Sequence, residues 1–325
     1  MSEIAVYGVG RSGTSTLYST IQEMLESEYS SIGDYCYEPF LWSPDVFNCL
    51  KKNIDQEFSY TESLSTTGMY LNEVLPHLIE GKIYDSFSSL DENCKKYLLN
   101  ACRRKPKSPY LLAKFIRANG RFGLFDYLNP EMKKIFILRN PIDVVNSSVA
   151  MFSFYGDDFH SSDYPAFCVE VESLYGDLVN LTPRNSRVER EAFYWYWTSK
   201  YYLEHTQGKK KTLKLIYDDY IDNKASLLVK VADYIGIDMP RDILDKASTK
   251  VGFVTHGINL SLAEYESLEV YFALYQQLIQ DYFPEYVQDP DRDLERYRNH
   301  EWGDTHREDN YFGRTTLYIK RQKPT

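Results

Sequence analysis

The chain has 325 residues, 43% hydrophobic and 26% charged, which is enough apolar material to bury a full core. With 37 Lys and Arg against 47 Asp and Glu the net charge is −10, which argues against a broad nucleic-acid or anionic-membrane surface. A small anionic ligand stays compatible with that charge, because a few placed cations and backbone N–H groups hold a phosphate.

The five cysteines (36, 49, 94, 102 and 168) form no C-x-x-C pair. An odd, scattered set in a long chain reads as reduced thiols, not as a disulfide frame or a zinc site. The first ten residues lead directly into a strand and a glycine turn, and no apolar run approaches the length of a membrane span. The expectation is a cytoplasmic protein with no membrane-spanning segment. The 29 Tyr against 17 Phe suit a wide cleft as well as a core.

In chain order, Ile4-Ala5-Val6-Tyr7 is a short apolar run ending at Gly8 and predicts a buried strand. Leu17, Ile21, Met24 and Leu25 recur at helical spacing over 14–26. A second strand is predicted over 31–37, stopped by Glu38-Pro39. Residues 44–108 are polar and irregular, with helices expected at 70–80 and 91–102. Strands follow at 110–116 and 134–138, and Asn140-Pro141 opens a helix with Pro near its first turn. After a loop rich in Ser, Asp and Tyr, a long helix is predicted over 187–206, then a strand over 212–217. A helix over 224–235 closes at Gly236, and another covers 262–281. Strands alternating with helices imply one α/β domain over 1–325, with a central parallel sheet flanked by helices on both faces. Within it, 44–108 forms a largely helical or irregular insertion and 282–325 an aromatic, charged tail.

The turn between first strand and first helix reads Gly8-Val9-Gly10-Arg11-Ser12-Gly13-Thr14-Ser15. A glycine-rich turn there aims backbone N–H groups and the positive helix end at one point, which makes a phosphate site. Gly8-x-Gly10-x-x-Gly13 fits the dinucleotide fingerprint, with Asp34 placed as a ribose acid, but Thr14, Ser15 and Thr16 stand where small apolar residues are usual. Gly8 and Gly13 also have the spacing of a nucleotide-triphosphate loop, yet Thr14 replaces its lysine, which disfavours kinase chemistry. In the third reading Arg11 supplies the cation from within the loop, while Gly10, Ser12, Gly13, Thr14 and Ser15 supply N–H groups and hydroxyls.

This third reading resembles the 5′-phosphosulfate loop of sulfotransferases that use PAPS (3′-phosphoadenosine 5′-phosphosulfate). Residues 135–148, Ile-Phe-Ile-Leu-Arg-Asn-Pro-Ile-Asp-Val-Val-Asn-Ser-Ser, resemble that family's second signature. It is a strand ending in Arg, then a Pro-started helix with Ser eight residues on. The resemblance implies that Arg139 and Ser147 hold the donor's 3′-phosphate. A local ion pair of Arg139 with Asp143 is the alternative use of that side chain. Ile216-Tyr217-Asp218-Asp219-Tyr220 resembles the family's late strand, which makes Tyr217 the residue bordering the adenine.

Sulfuryl transfer needs an activated acceptor oxygen, charge stabilisation on the transferring group and a good leaving phosphate. Arg11 is the expected leaving-group cation. Lys114 stands where the family's small-molecule branch has a lysine, but Ile116 occupies the position of that branch's catalytic His. Tyr37-Glu38-Pro39 resembles the carbohydrate and tyrosyl branch, so Glu38 is the expected general base. Ala113-Lys114-Phe115-Ile116-Arg117 resembles its glycan enzymes, which implies Arg117 as a contact to donor or acceptor. None of the six His lies in a recognisable catalytic frame, although His256 beside Gly257 is placed to approach the donor. No metal-ligand spacing is present, and metal-independent transfer is expected. The expected acceptor is a glycan or glycolipid hydroxyl, with aromatic residues between Phe152 and Tyr164 as cleft lining. The rival readings are a P-loop kinase, a dinucleotide oxidoreductase and a nucleotide-binding protein without catalysis.

Overall fold

The computed structural model of the chain describes residues 2–29, 34–37, 109–115, 130–151, 164–208, 211–249, 257–286, 294–295, 297–300 and 302. The chain divides into two compact units. The first comprises Met1–Arg139, Ser161–Val179 and Trp197–Gly252, and the second Asn140–His160, Asn180–Tyr196 and Phe253–Thr325.

The first unit is built on five parallel strands: β1 (Ser2–Tyr7), β2 (Asp34–Tyr37), β3 (Tyr110–Phe115), β4 (Lys133–Leu138) and β5 (Thr212–Ile216). Their order is β2-β3-β1-β4-β5, with Val6 opposite both Lys114 and Ile135. Residues alternate between the two faces of a strand. Ile4 and Val6 of β1, Leu112 of β3, Ile135 and Ile137 of β4, and Leu213 and Leu215 of β5 therefore share one face. Against it pack Leu17, Ile21, Met24 and Leu25 of helix α1 (Thr14–Glu28). Each such burial stabilises the fold by roughly 1.5–3 kcal/mol. The opposite face carries Tyr7, Phe115 and Phe136, and Tyr202 stacks on Phe136 with ring centroids 4.2 Å apart. The expected parallel sheet with helices on both faces is thus present.

Further along come α2 (Pro141–Met151), α3 (Tyr164–Tyr175), α4 (Arg187–His205), α5 (Tyr217–Asp222), α6 (Lys224–Ile235), α7 (Arg241–Thr249), α8 (Leu262–Ser267) and α9 (Glu269–Tyr282). Helix α4 starts where the Ser186 hydroxyl accepts from Glu189 N–H and Glu189 Oε2 accepts from Ser186 N–H, a reciprocal cap. In the second unit α9 packs on α2, and Trp195 meets Tyr275 edge-on at 6.0 Å.

Several described elements differ from the sequence reading. The strand expected to 217 ends at Ile216, and Tyr217 opens α5. The helix expected over 262–281 is two helices, because buried Leu268 interrupts the ladder between α8 and α9. Helices α3 and α7 form where no helix is predicted; α7 follows Pro240 and faces the core through Ile243, while α3 carries Pro165 in its first turn. The predicted helices at 70–80 and 91–102 lie outside the described residues.

Candidate active site

The order β2-β3-β1-β4-β5 places β3 on one side of β1 and β4 on the other. The connections therefore diverge at the carboxyl end of β1, which is where ligands sit in open α/β sheets. Gly8 to Gly13 leave β1 at that point. A Cβ on Gly8 would lie 2.8 Å from Thr14 Cγ2 and 2.9 Å from the Ile137 carbonyl oxygen, so glycine permits the close approach of loop, helix and β4. Ser12 N–H closes a turn on the Val9 carbonyl at 3.1 Å.

Arg11 has φ 70°, and among the described residues it is the non-glycine residue with positive φ. Gly13 follows at φ 87°. Left-handed residues next to a helix start bend successive N–H groups inward, the conformation of an anion-binding nest. The N-cap of α1 is Gly13, which offers no side-chain acceptor, and the first turn has no acidic residue. The positive end of the α1 dipole therefore carries no acidic side chain from its own first turn. Ser12 is 1% exposed, and its hydroxyl has no hydrogen-bond partner among the described residues. A buried hydroxyl of that kind suits a loop that completes its bonding when a polar ligand enters.

Three side chains converge on this loop from elsewhere in the first unit. Arg139, immediately after β4, donates from Nη1 to the Arg11 carbonyl at 2.8 Å. Its guanidinium lies 4.3 Å from the centroid of the Tyr217 ring. Tyr217 in turn presses on Gly13, where an added Cβ would stand 2.3 Å from Cε2 of the ring. Lys114 on β3 is 2% exposed and donates from Nζ to Ser15 Oγ at 2.8 Å. The cation absent from the Thr14 position thus arrives from the neighbouring strand.

Of the residues singled out from sequence, Gly10, Arg11, Ser12, Gly13, Thr14, Ser15, Lys114, Arg139 and Tyr217 all lie in the first unit around this loop. Ser147 is buried on α2 in the second unit. Glu38, Arg117, His256 and the aromatic segment 152–163 lie outside the described residues. Asp143, named as a local partner for Arg139, accepts a hydrogen bond from Tyr297. Asn140, read from the sequence as opening a helix with Pro141, is 1% exposed and its Oδ1 accepts from Ile142 N–H at 2.9 Å, which starts α2 directly after Arg139.

Among the described residues no group of His, Cys, Asp and Glu could hold a metal ion, and no helix is long and apolar enough to cross a membrane. No curated protein sequence matches the chain. Solved structures similar to it include the sulfotransferase domain of the Synechococcus PCC 7002 olefin synthase (12% identity, 99% of this chain and 94% of that one, TM-score 0.41). A sulfotransferase from Alicyclobacillus acidocaldarius is 13% identical over 86% of this chain and 96% of that one, TM-score 0.42. The mouse sulfotransferase SULT7A1 complexed with PAP is 16% identical over 92% and 86%, TM-score 0.38. These likenesses are distant, and the assignment rests on the sequence pattern of the sulfotransferase family, which matches residues 3–241, more than half of the chain. The chain belongs to the sulfotransferase family.

Proposed function

We propose that the chain transfers a sulfuryl group from PAPS to an acceptor hydroxyl, that of a glycan or glycolipid, within a single catalytic domain. The observation that carries this reading is the Arg139 bond to the Arg11 carbonyl, which ties the two donor-binding signatures together at one loop. The bound donor supplies the activated sulfuryl group and its leaving phosphate. The residues present fit such a donor: an inward-turned loop, a buried hydroxyl on Ser12 and cationic side chains from three segments of the chain.

In this reading Gly10 to Ser15 hold the 5′-phosphate through N–H groups and hydroxyls. Arg11 and Lys114 offset the charge that builds on the bridging oxygen as the sulfur–oxygen bond breaks. Arg139 and Ser147 hold the 3′-phosphate, and Tyr217 borders the adenine. Glu38 takes the proton from the acceptor hydroxyl as the new oxygen–sulfur bond forms, and adenosine 3′,5′-bisphosphate (PAP) leaves. Fixed side-chain cations do the charge stabilisation, so the proposed transfer calls for no metal.

The test is calorimetric titration with PAP, against 5′-AMP, Mg-ATP and NAD, without added metal. Selective binding of PAP supports the reading, and preference for ATP or NAD overturns it in favour of a kinase or oxidoreductase loop. Glu38→Gln should leave PAP affinity intact and lower turnover on responsive glycan or glycolipid acceptors by about two orders of magnitude. Full activity in Glu38→Gln would remove Glu38 as the base.

A further inference from the structure

Helix α2 is held by residues that lie beyond residue 241, where the family match ends. Tyr297 is fully buried and donates its hydroxyl to Asp143 Oδ1 at 2.7 Å. Its ring stacks on Tyr265 with centroids 5.5 Å apart, and Trp302 packs on the same Tyr265 at 5.2 Å. One helical turn further along α2, Asn146 is 1% exposed and accepts at Oδ1 from the Asn259 main-chain N–H at 2.7 Å. The Asn146 amide also donates from Nδ2 to the Gly257 carbonyl at 3.3 Å.

Asp143 and Asn146 are spaced i, i+3 and so share one side of α2, and Ser147, at i+4 from Asp143, stands on that side too. A buried amide such as Asn146 must keep its partners, so the 257–259 segment and α2 move as one body. The aromatic stack around Tyr265 holds the Tyr297 ring in place from the other side. Two anchors one turn apart fix both the rotation and the position of a helix along its axis.

We infer that Tyr297 and the 257–259 segment are positioning elements for the donor's 3′-phosphate, acting through Asp143 and Asn146 to set Ser147. This rests on the reading of Ser147 given above. A hydroxyl serves a phosphate only within a narrow range of distance and angle, so loosening one anchor weakens recognition of the 3′-phosphate without touching the 5′ end.

The test compares affinity for PAP with affinity for 5′-AMP, which lacks the 3′-phosphate, in the full chain, alongside melting temperature. Tyr297→Phe and Asp143→Ala should each lower PAP affinity about three- to tenfold and leave 5′-AMP affinity unchanged. Asp143→Asn retains an oxygen acceptor for the Tyr297 hydroxyl and should keep the wild-type preference. A merely structural role would lower the melting temperature and leave the ratio of the two affinities unmoved. If Ser147→Ala narrows the preference for PAP while Tyr297→Phe and Asp143→Ala do not, the inference is overturned. If Ser147→Ala leaves that preference intact, the reading of Ser147 fails and the inference falls with it. Should Tyr297→Phe not fold, the Asp143→Ala and Asp143→Asn pair decides the matter alone.

Discussion

Arg139 reaches back across 128 positions of sequence to donate from Nη1 to the Arg11 carbonyl at 2.8 Å. The same guanidinium stacks on Tyr217, so one side chain braces the loop's left-handed residue and the aromatic ring that covers Gly13. Its planar fork allows both contacts at once, which a lysine ammonium could not reproduce. Arg139→Lys and Arg139→Ala should therefore both weaken PAP binding by at least about 2 kcal/mol, roughly thirtyfold. Calorimetric titration measures this directly. Unchanged affinity in both variants would remove Arg139 from the donor site.

Gly13 is constrained twice, by its φ of 87° and by the Tyr217 ring 2.3 Å from where a Cβ would sit. Gly13→Ala should cost about 1–2 kcal/mol from the backbone alone, and more from the collision. Combined with Tyr217→Ala, the collision disappears and the backbone cost remains, so the two substitutions should be non-additive. Urea denaturation of the four proteins gives the coupling. Additive costs would show that the ring is not held against the loop in solution.

Lys114 brings a buried ammonium to Ser15 at the first turn of α1. A charge-assisted hydrogen bond to a phosphate contributes about 1.5–3 kcal/mol. Lys114→Met should accordingly lower 5′-AMP affinity by roughly tenfold or more, and turnover with it. Ser15→Ala, which leaves the ammonium in place, should have the smaller effect. Equal affinities for wild type and Lys114→Met would mean that the ammonium does not reach the phosphate.

The Tyr220 phenol is pushed up to about 12, mainly by burial, with its hydrogen bond to Thr20 acting in the opposite direction. The folded chain therefore holds this proton at pH values where the unfolded chain, at about 10, has released it. Its stabilising contribution is complete below about pH 10 and is lost as pH rises from there towards about 12. Thermal melts across that window should fall more steeply for wild type than for Tyr220→Phe. Parallel curves would show that Tyr220 ionises alike in both states.

Much of this protein was legible in its sequence because the relevant signals are local. Ile4 to Leu25 contain a strand, a glycine turn and a helix in unbroken order, and hydrophobic spacing alone reveals them. The strand ending in Arg139 and the Pro141 helix start are equally local, since φ restriction and apolar runs act within a few residues. Helix ends decided by a neighbour were not legible: Tyr217 continues the apolar run of β5, yet it opens α5 with its ring under Arg139. Likewise the periodicity over 262–281 runs through Leu268, where the backbone ends α8 and begins α9.

The sequence by itself determined the alternation of strands and helices, the glycine turn after the first strand and the residue types on it. Only the tertiary structure decided the strand order, and with it which side chains meet. Lys114 reaches Ser15 across 99 positions because β3 pairs with β1 in a register that sets Lys114 beside Val6. Strand order depends on how whole faces bury against α1 and α4, a sum over many weak contacts that no short segment encodes.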